Sequence, residues 1–489
     1  MEKQAKSRRV KTPFEKLRCV TLGVLAAYVA AVCLFPLLAG DQLHFRQSRS
    51  NIAMPTAVTG TGELTAESGG VEQKFAANIQ RLEKITVLWA TYNRENAGTV
   101  YVELYRESDR KLLASQTLSA SDITNGYIST LEMPEPLEGL AGVPLLLRLS
   151  SPDAVAGSAV SPMMNPDISI SGGSLSVSAQ AVPGTLCFTA EGEDFIWIGL
   201  HYWKSAIAFG IVLAVCAVLL LRRAKSGRAN ITVNTLAALG KYRFLIRQLV
   251  SRDFKTKYKR SALGIFWSFL NPLLTTLVQY MIFSSLFRFD IPYYPVYLLS
   301  GVILFNFFSE SCGLMLNSIT GNAGLITKVY MPKYIYPLTR TLSSGINLLL
   351  ALIPLLIITF LSGLPLKKSF LLIPIPLICL AVFALGVGML LSAAMVFFRD
   401  TQFLWGIVSM VWMYATPLFY PASIIPSQFR WVLHCNPLYY FISMVRTMLI
   451  EGVSPEPLVY LQSMAFALAM LLIGAFVFKK SQDNFVLYL

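Results

Sequence analysis

Charge is what this chain lacks most. Only 14% of its 489 residues are Asp, Glu, Lys or Arg, against roughly 25% in a soluble globular protein. With 54% hydrophobic residues and a mean hydropathy of +0.56, that deficit excludes a soluble enzyme and calls for a chain folded mostly in lipid. Histidine and cysteine are scarce as well, three and seven, and too scattered for a metal site. Cys19, Cys33, Cys216, Cys312 and Cys379 fall in or beside apolar runs, whereas Cys187 and Cys435 lie outside them. Either unpaired thiols or one disulfide fits that last pair. No GxxxxGK[ST] loop is present, so nucleotide is not bound that way, and the HExxH, CxxC, GxSxG and EF-hand patterns are missing too.

The charge that is present is unevenly placed. The net charge is +14, yet residues 41–196 hold ten Lys/Arg and eighteen acids, while residues 222–262 hold twelve Lys/Arg and one acid, Asp253. The positive excess therefore marks cytoplasmic loops facing a membrane rather than a nucleic-acid surface. No nucleic-acid partner is expected.

The expected fold is a polytopic α-helical membrane protein of about eight spans. Residues 1–40 are a basic tail (Lys3, Lys6, Arg8, Arg9, Lys11, Lys16, Arg18) and an uncharged run from Cys19 to Ala39, long enough to cross about 30 Å of hydrocarbon. An uncleaved anchor with its N-terminus inside fits better than a signal peptide. Residues 41–196 read as a β-rich domain outside the membrane, sandwich-like. Val100, Val102 and Leu104 alternate onto one face. Residues 84–91, 144–150, 167–171 and 184–189 read as further strands between turn signals such as Asn125-Gly126 and Gly172-Gly173. Residues 197–222 return across the membrane, with Trp197, Tyr202 and Trp203 at one interface and Arg222-Arg223 at the other.

Residues 223–262 form a basic linker and an amphipathic helix. Leu239, Tyr242, Leu245, Ile246 and Leu249 recur at three and four, with Arg243, Arg247 and Arg252 between them, as in a helix lying on a membrane surface. Residues 263–489 hold six further spans, near 263–286, 293–317, 342–362, 371–397, 402–420 and 459–478. Lys328, Lys333, Arg340, Arg399 and Lys479-Lys480 then fall inside, with both termini in the cytoplasm; only Lys367-Lys368 runs against the positive-inside rule. The stretch 421–457 is too long and apolar for a simple loop. Two short helices dipping into the outer leaflet would bury it.

Acids in the membrane are few. Glu310 lies mid-span and Asp290 and Asp400 at span ends, too few for a proton relay. Glu310 is either a functional group or a hydrogen-bonded helix-packing residue. Asn271-Pro272 and Asn436-Pro437 are expected kinks. The loop 318–340 carries the apolar residues Leu325-Ile326 and Tyr330-Met331. They face either a protein partner or the bilayer.

Several stretches resemble the permease subunits of ABC-2 type polysaccharide exporters, which move O-antigen, teichoic acid and capsule chains. They are RDFKTKYKRSALGIFWSFLNPLL (252–274), YLLSGVILFNFF (297–308), NSITGNAGLITKVYMPKYIYPL (317–338), FFRDTQFL (397–404), TPLFYPASIIP (416–426) and NPLYYFISMVRTMLIEG (436–452). The resemblance implies a six-span half-transporter, working as a homodimer on a lipid-linked polysaccharide in the cytoplasmic membrane. It implies two copies of a separate ATPase that hold ATP and Mg, with no cofactor and no catalytic site on this chain. The interface helix would carry Tyr242, Arg243, Arg247, Arg252, Lys255 and Lys257. The coupling helix would lie near Asn322, Gly324, Leu325, Ile326, Lys328, Tyr330, Met331 and Pro332. Re-entrant helices would occupy 421–452, and Phe266, Trp267, Tyr280, Trp405, Trp412 and Tyr414 would contribute to an aromatic-lined path, with Pro272 and Pro437 as kinks.

Residues 1–235 depart from that pattern. Their β-domain offers Tyr92, Arg94, Tyr101 and Tyr105 as surface contacts for a glycan, a wall ligand or an enzyme. Two other functions stay open at this point. One is a membrane glycosyltransferase using Glu451, Glu456 and Asp290; the other is an anchor whose β-domain binds a ligand.

Overall fold

The apolar run that opens the chain is one helix, α1 (Pro13–Ala39). The structure, a computed structural model, describes residues 13–52, 59–77, 79–170, 172–226, 231–259, 263–284, 291–328, 331–365 and 367–488. Lys3, Lys6, Arg8, Arg9, Lys11, Ser171, Arg260, Asp290 and Tyr330 lie outside these residues. His44–Leu200 form one compact unit; the other combines α1 with everything from His201 onward.

The first unit holds thirteen strands among the described residues: β1 (Phe45–Ile52), β2 (Thr59–Gly60), β3 (Val71–Ala76), β4 (Arg81–Ala90), β5 (Thr99–Arg106), β6 (Leu112–Ser119), β7 (Ile128–Glu138), β8 (Pro144–Ser150), β9 (Ser161–Asn165), β10 (Ser174–Val177), β11 (Gln180–Val182), β12 (Thr185–Leu186) and β13 (Phe188–Phe195). They form a seven-stranded sheet, β1-β13-β4-β9-β12 with β2 beside β9 and β7 beside β4, and a six-stranded sheet, β11-β10-β3-β8-β5-β6. All these pairings are antiparallel. The expected inward face of β5 is real: Val100, Val102 and Leu104 are fully buried, each contributing about 1.5–3 kcal/mol. They meet Trp89, Phe75 and Phe188 in the shared core. Of the strand expected over 167–171, the described residues 167–170 are not in a strand. Pro166 carries no N–H for a ladder, and the Asn165 side chain accepts from the Asp167 amide at 3.0 Å, turning the chain.

The first unit ends with α2 (Trp197–Leu200). After α1, the second unit holds α3 (Tyr202–Lys225), α4 (Ile231–Tyr258), α5 (Trp267–Ile282), α6 (Tyr294–Leu316), α7 (Ala323–Ile326), α8 (Ile335–Leu361), α9 (Pro374–Phe397), α10 (Thr401–Ala415), α11 (Arg430–His434), α12 (Pro437–Arg446), α13 (Pro457–Ser481) and α14 (Phe485–Tyr488). Among the described residues, seven helical segments are long and apolar enough to cross a membrane. The remaining expected span is α10, only fifteen residues, about 22 Å at 1.5 Å per residue.

The third core span begins at Ile335 rather than near 342. Arg340 does not end it, because its guanidinium lies 2.8 Å from the Asp253 carboxylate. Pro437 is not a kink. It is the first residue of α12, with Asn436 as its cap, Oδ1 accepting from the Leu438 amide at 3.1 Å. Pro272, from the same dipeptide, sits inside α5.

α6 is the centre of this unit, buried on nearly every face. α9 and α13 touch backbone to backbone: a Cβ on Gly386 would lie 2.5 Å from the Met470 backbone, and one on Gly474 would lie 2.1 Å from Gly386 O. Small residues allow this approach where lipid supplies no hydrophobic drive between helices. α1 and α3 pair through Tyr28 OH to Ala206 O (2.6 Å) and Tyr202 OH to Val32 O (2.8 Å), and Phe35 seats the pair edge-on against Tyr460 of α13.

Candidate functional site

The interface helix packs as its periodicity demands. Leu249 is buried, and Tyr242, Leu245 and Ile246 lie on a cluster of Ile319, Met331, Ile335, Phe478 and Phe485. Arg243, Arg247, Arg252 and Lys255 are exposed. The same cluster takes in Ile326 and residues near the end of α9. Thus α4, the 319–331 segment, the start of α8 and the ends of α9 and α13 share one end of the bundle.

The coupling segment differs from expectation. Ile326 and Met331 are buried and Leu325 is half-buried, packed inward rather than offered to a partner. α7 is a single turn, too short to shield both of its faces, so its apolar side closes on the bundle. Asn322 is buried too, its Nδ2 donating to Ser318 O at 2.8 Å. The outer surface belongs to Gly321, Gly324, Thr327 and Lys328. Pro332 is partly buried, and Tyr330 lies outside the described residues.

Where α4 meets α6 and α8, polar groups form a continuous chain. Lys257 Nζ donates to Glu310 Oε1 at 2.7 Å, and Asn347 Nδ2 donates to the same oxygen at 2.9 Å. Tyr258 OH donates to Asn347 Oδ1 at 3.1 Å and is hydrogen-bonded to Ser268 Oγ at the start of α5. One turn back, Asp253 is held by Arg252 (3.2 Å) and Arg340 (2.8 Å). Glu310 is therefore a paired, helix-linking carboxylate. It also lines two cavities, about 280 Å³ towards α5 and about 640 Å³ towards Arg252 and Arg340. Lys257, Glu310 and Asn347 border both.

The expected path aromatics divide into two groups. Phe266, Trp267, Tyr280 and Tyr414 are exposed on α5, its entry turn and α10. Trp405 is 8% exposed and packs edge-on against Phe308. Trp412 is wedged between Phe308 and Phe383, with Nε1 donating to Asn436 Oδ1 at 2.9 Å. Trp405 is thus spent on packing within the chain, whereas Trp412 packs inward and also borders an open groove of about 380 Å³ with Val411, Trp431 and Asn436.

Sequence reading missed Arg446. This guanidinium is 9% exposed and donates to the carbonyls of Tyr297, Pro417 (2.8 Å) and Leu418 (3.0 Å) while lying over the Tyr297 ring. Tyr294 OH and Tyr297 OH donate to Phe419 O and Tyr420 O. Together they hold the extended segment after α10, whose carbonyls would otherwise lack partners. The signal was one arginine in the apolar run 438–450, which membrane energetics marks by default. Beyond α12, a π-turn (Thr447–Glu451) ends at Gly452. Of the carboxylates considered for transferase chemistry, Glu451 closes that turn and Asp290 is outside the described residues. Cys187 and Cys435 are both free thiols.

The family described as ABC-2 type transporter matches residues 245–450. The chain is 32% identical over 209 residues to an O-antigen export system permease protein RfbA of Klebsiella pneumoniae, covering 42% of this chain and 81% of that protein. A protein of the same name from Myxococcus xanthus is 29% identical over 257 residues, 52% of this chain and 98% of that one. The polysialic acid transport protein KpsM of Escherichia coli is 23% identical over 241 residues, 49% of this chain and 93% of that one.

Proposed function

Because the chain belongs to the ABC-2 type transporter family, we propose that it is the membrane subunit of an ATP-driven exporter of a lipid-linked cell-surface polysaccharide. It is a multi-pass protein of a bacterial membrane with the character of a polysaccharide export permease. In this reading two copies assemble with two copies of a separate ATPase, which carries ATP and Mg. Both termini lie in the cytoplasm and residues 41–196 outside. The chain itself has no catalytic site.

The observation that carries the proposal is the likeness to O-antigen export permeases over 81% to 98% of their length. The packing supports a working scheme. The α4 and 319–331 elements share one end of the bundle with α8, α9 and α13, so a push there moves whole spans. The exposed surfaces of α5 and α10 are free to face the second copy and bound the path with Phe266, Trp267, Tyr280 and Tyr414.

The test is Gly324→Trp. Gly324 is exposed and a Cβ there meets nothing within 4 Å, so the chain should fold and insert. Export of surface polysaccharide should fall while a co-purified ATPase still hydrolyses ATP. Unchanged export would remove the coupling role, and failure of any Walker-type ATPase to co-purify with the wild-type chain would remove the exporter reading.

A further inference from the structure

A groove of about 730 Å³ runs along the exposed side of α8 and α9, within the range of about 300–1,000 Å³ that holds a bound molecule. Buried Leu348, Leu355 and Val445 form its floor, and exposed Leu349, Leu371 and Ile378 its rim. Gly345 opens its middle, where a Cβ would meet nothing within 4 Å. The one polar side chain in the lining, Thr341, donates to Pro337 O at 3.3 Å. The α9 wall, residues 373–381, rises about 12 Å at 1.5 Å per residue. That is close to one leaflet, half of about 30 Å of hydrocarbon.

The end of the groove at Phe370 and Leu371 is also where the lysine pair stands that runs against the positive-inside rule. Lys368 opens a short 3₁₀ turn (Lys368–Leu372) that carries both of those groove residues, and Lys367 and Lys368 are both exposed. Lys367 is held in place: its Nζ donates to the backbone carbonyl of Glu451 at 3.1 Å, while the Glu451 carboxylate accepts from Thr447 Oγ1 at 3.5 Å. Two ammoniums stand against one carboxylate, so this corner keeps a positive excess. An apolar groove with positive charge at one end matches a hydrocarbon chain that carries an anionic headgroup. A second copy fits poorly, because a two-fold contact sets the same patch against itself and leaves the hollow unfilled. A peptide or a sugar would bury its own polar groups against a lining that offers them no partner.

We propose that this groove binds one anionic glycerophospholipid, with an acyl chain between α8 and α9 and the phosphate on Lys367 and Lys368. In the topology proposed above this end lies outside, so the lipid belongs to the outer leaflet, a placement that rests on that reading. The bound headgroup gives the two lysines a reason to stand on the side where the positive-inside rule does not put them.

The test is native mass spectrometry of the purified full-length chain in detergent, titrated with palmitoyl-oleoyl phosphatidylglycerol, palmitoyl-oleoyl phosphatidylcholine and undecaprenyl phosphate as separate probes. Phosphatidylglycerol should bind more tightly than phosphatidylcholine. Lys368→Gln should weaken phosphatidylglycerol about fivefold, the effect of one lysine beside an anionic headgroup, and leave phosphatidylcholine unchanged. Gly345→Trp should weaken both by filling the groove. Equal affinity for the two phospholipids, or unchanged phosphatidylglycerol binding in either variant, would overturn the site. So would tighter binding of undecaprenyl phosphate than of phosphatidylglycerol, which gives the groove to an isoprenoid carrier, or a loss of dimers in Gly345→Trp, which gives it to a second copy. Lys368 is exposed, so its variant should fold even where Gly345→Trp does not. None of these outcomes depends on export; the functional reading falls instead if deleting the chain leaves surface polysaccharide in place.

Discussion

Lys257 on α4 and Glu310 on α6 are 53 residues apart and meet at 2.7 Å, with Asn347 of α8 donating to the same carboxylate oxygen. The pair ties a helix lying at the bundle's end to two helices that cross the membrane. Both side chains keep part of their surface exposed, so the pair contributes no more than about 1 kcal/mol. Its value lies in fixing how α4 sits.

Breaking this pair from either side leaves a charge without its partner. Lys257→Met and Glu310→Gln should each lower the apparent melting temperature in detergent, and the double variant should lose less than the sum. A double-mutant cycle reads the coupling. Strictly additive losses would show that the two groups do not stabilise one another.

Arg446 serves three backbone carbonyls with one fork of donors. Arg446→Met leaves them unsatisfied, at about 1–3 kcal/mol each, so a total loss of about 3 kcal/mol or more is expected. Arg446→Lys should recover little of it, because one ammonium cannot span three divergent acceptors. Protease cleavage between α10 and α12 should rise in both variants. Wild-type resistance in Arg446→Met would mean the clamp is dispensable.

Gly386 and Gly474 set the distance between α9 and α13. Gly386→Ala forces a Cβ to within 2.5 Å of the Met470 backbone, a clash that no rotamer relieves. Destabilisation of about 1–3 kcal/mol is expected, against little change for Gly406→Ala, where the space is open. Equal melting temperatures for the two variants would contradict the close helix contact.

The β-unit should respond to acid through Glu63. Its carboxylate accepts from the Arg94 guanidinium and from the Gly157 amide at 2.6 Å, and the Arg94 hydrogen bond foremost holds its pKa below the ordinary glutamate value. The unfolded chain therefore binds the proton more readily. The stabilisation is present above about pH 4.3, the ordinary value, and is lost as pH falls through the lower folded value. Thermal unfolding followed across roughly pH 3 to 6 should show a shallower acid limb in Glu63→Gln. An identical limb would remove Glu63 from the acid response.

Some of this was legible beforehand. Val100, Val102 and Leu104 alternate because one face of β5 meets water and the other a core, so the pattern survives into the buried face. The amphipathic side of α4 was readable for the same reason. Ile326 and Met331 were misread because their burial depends on α8, α9 and α13, which are distant in sequence. The two Asn-Pro dipeptides are identical in sequence, yet one begins a helix and the other lies inside one. Their neighbours decide that, not the dipeptide.

The sequence by itself determined that this chain lives in a membrane, roughly where its helical runs lie, and that a β-unit interrupts them. Scarce charge, long apolar runs and period-two alternation carry those conclusions because water sorts polar from apolar segments. Only the tertiary structure decided which apolar side chains face lipid and which face protein. Trp405 and Tyr414 lie nine residues apart on one helix, one buried and one open. Lipid is as apolar as a protein interior, so no hydrophobic pattern separates the two faces. The same holds for Asn306 and Arg446: each is a polar residue in an apolar run until the neighbouring helices show what it faces.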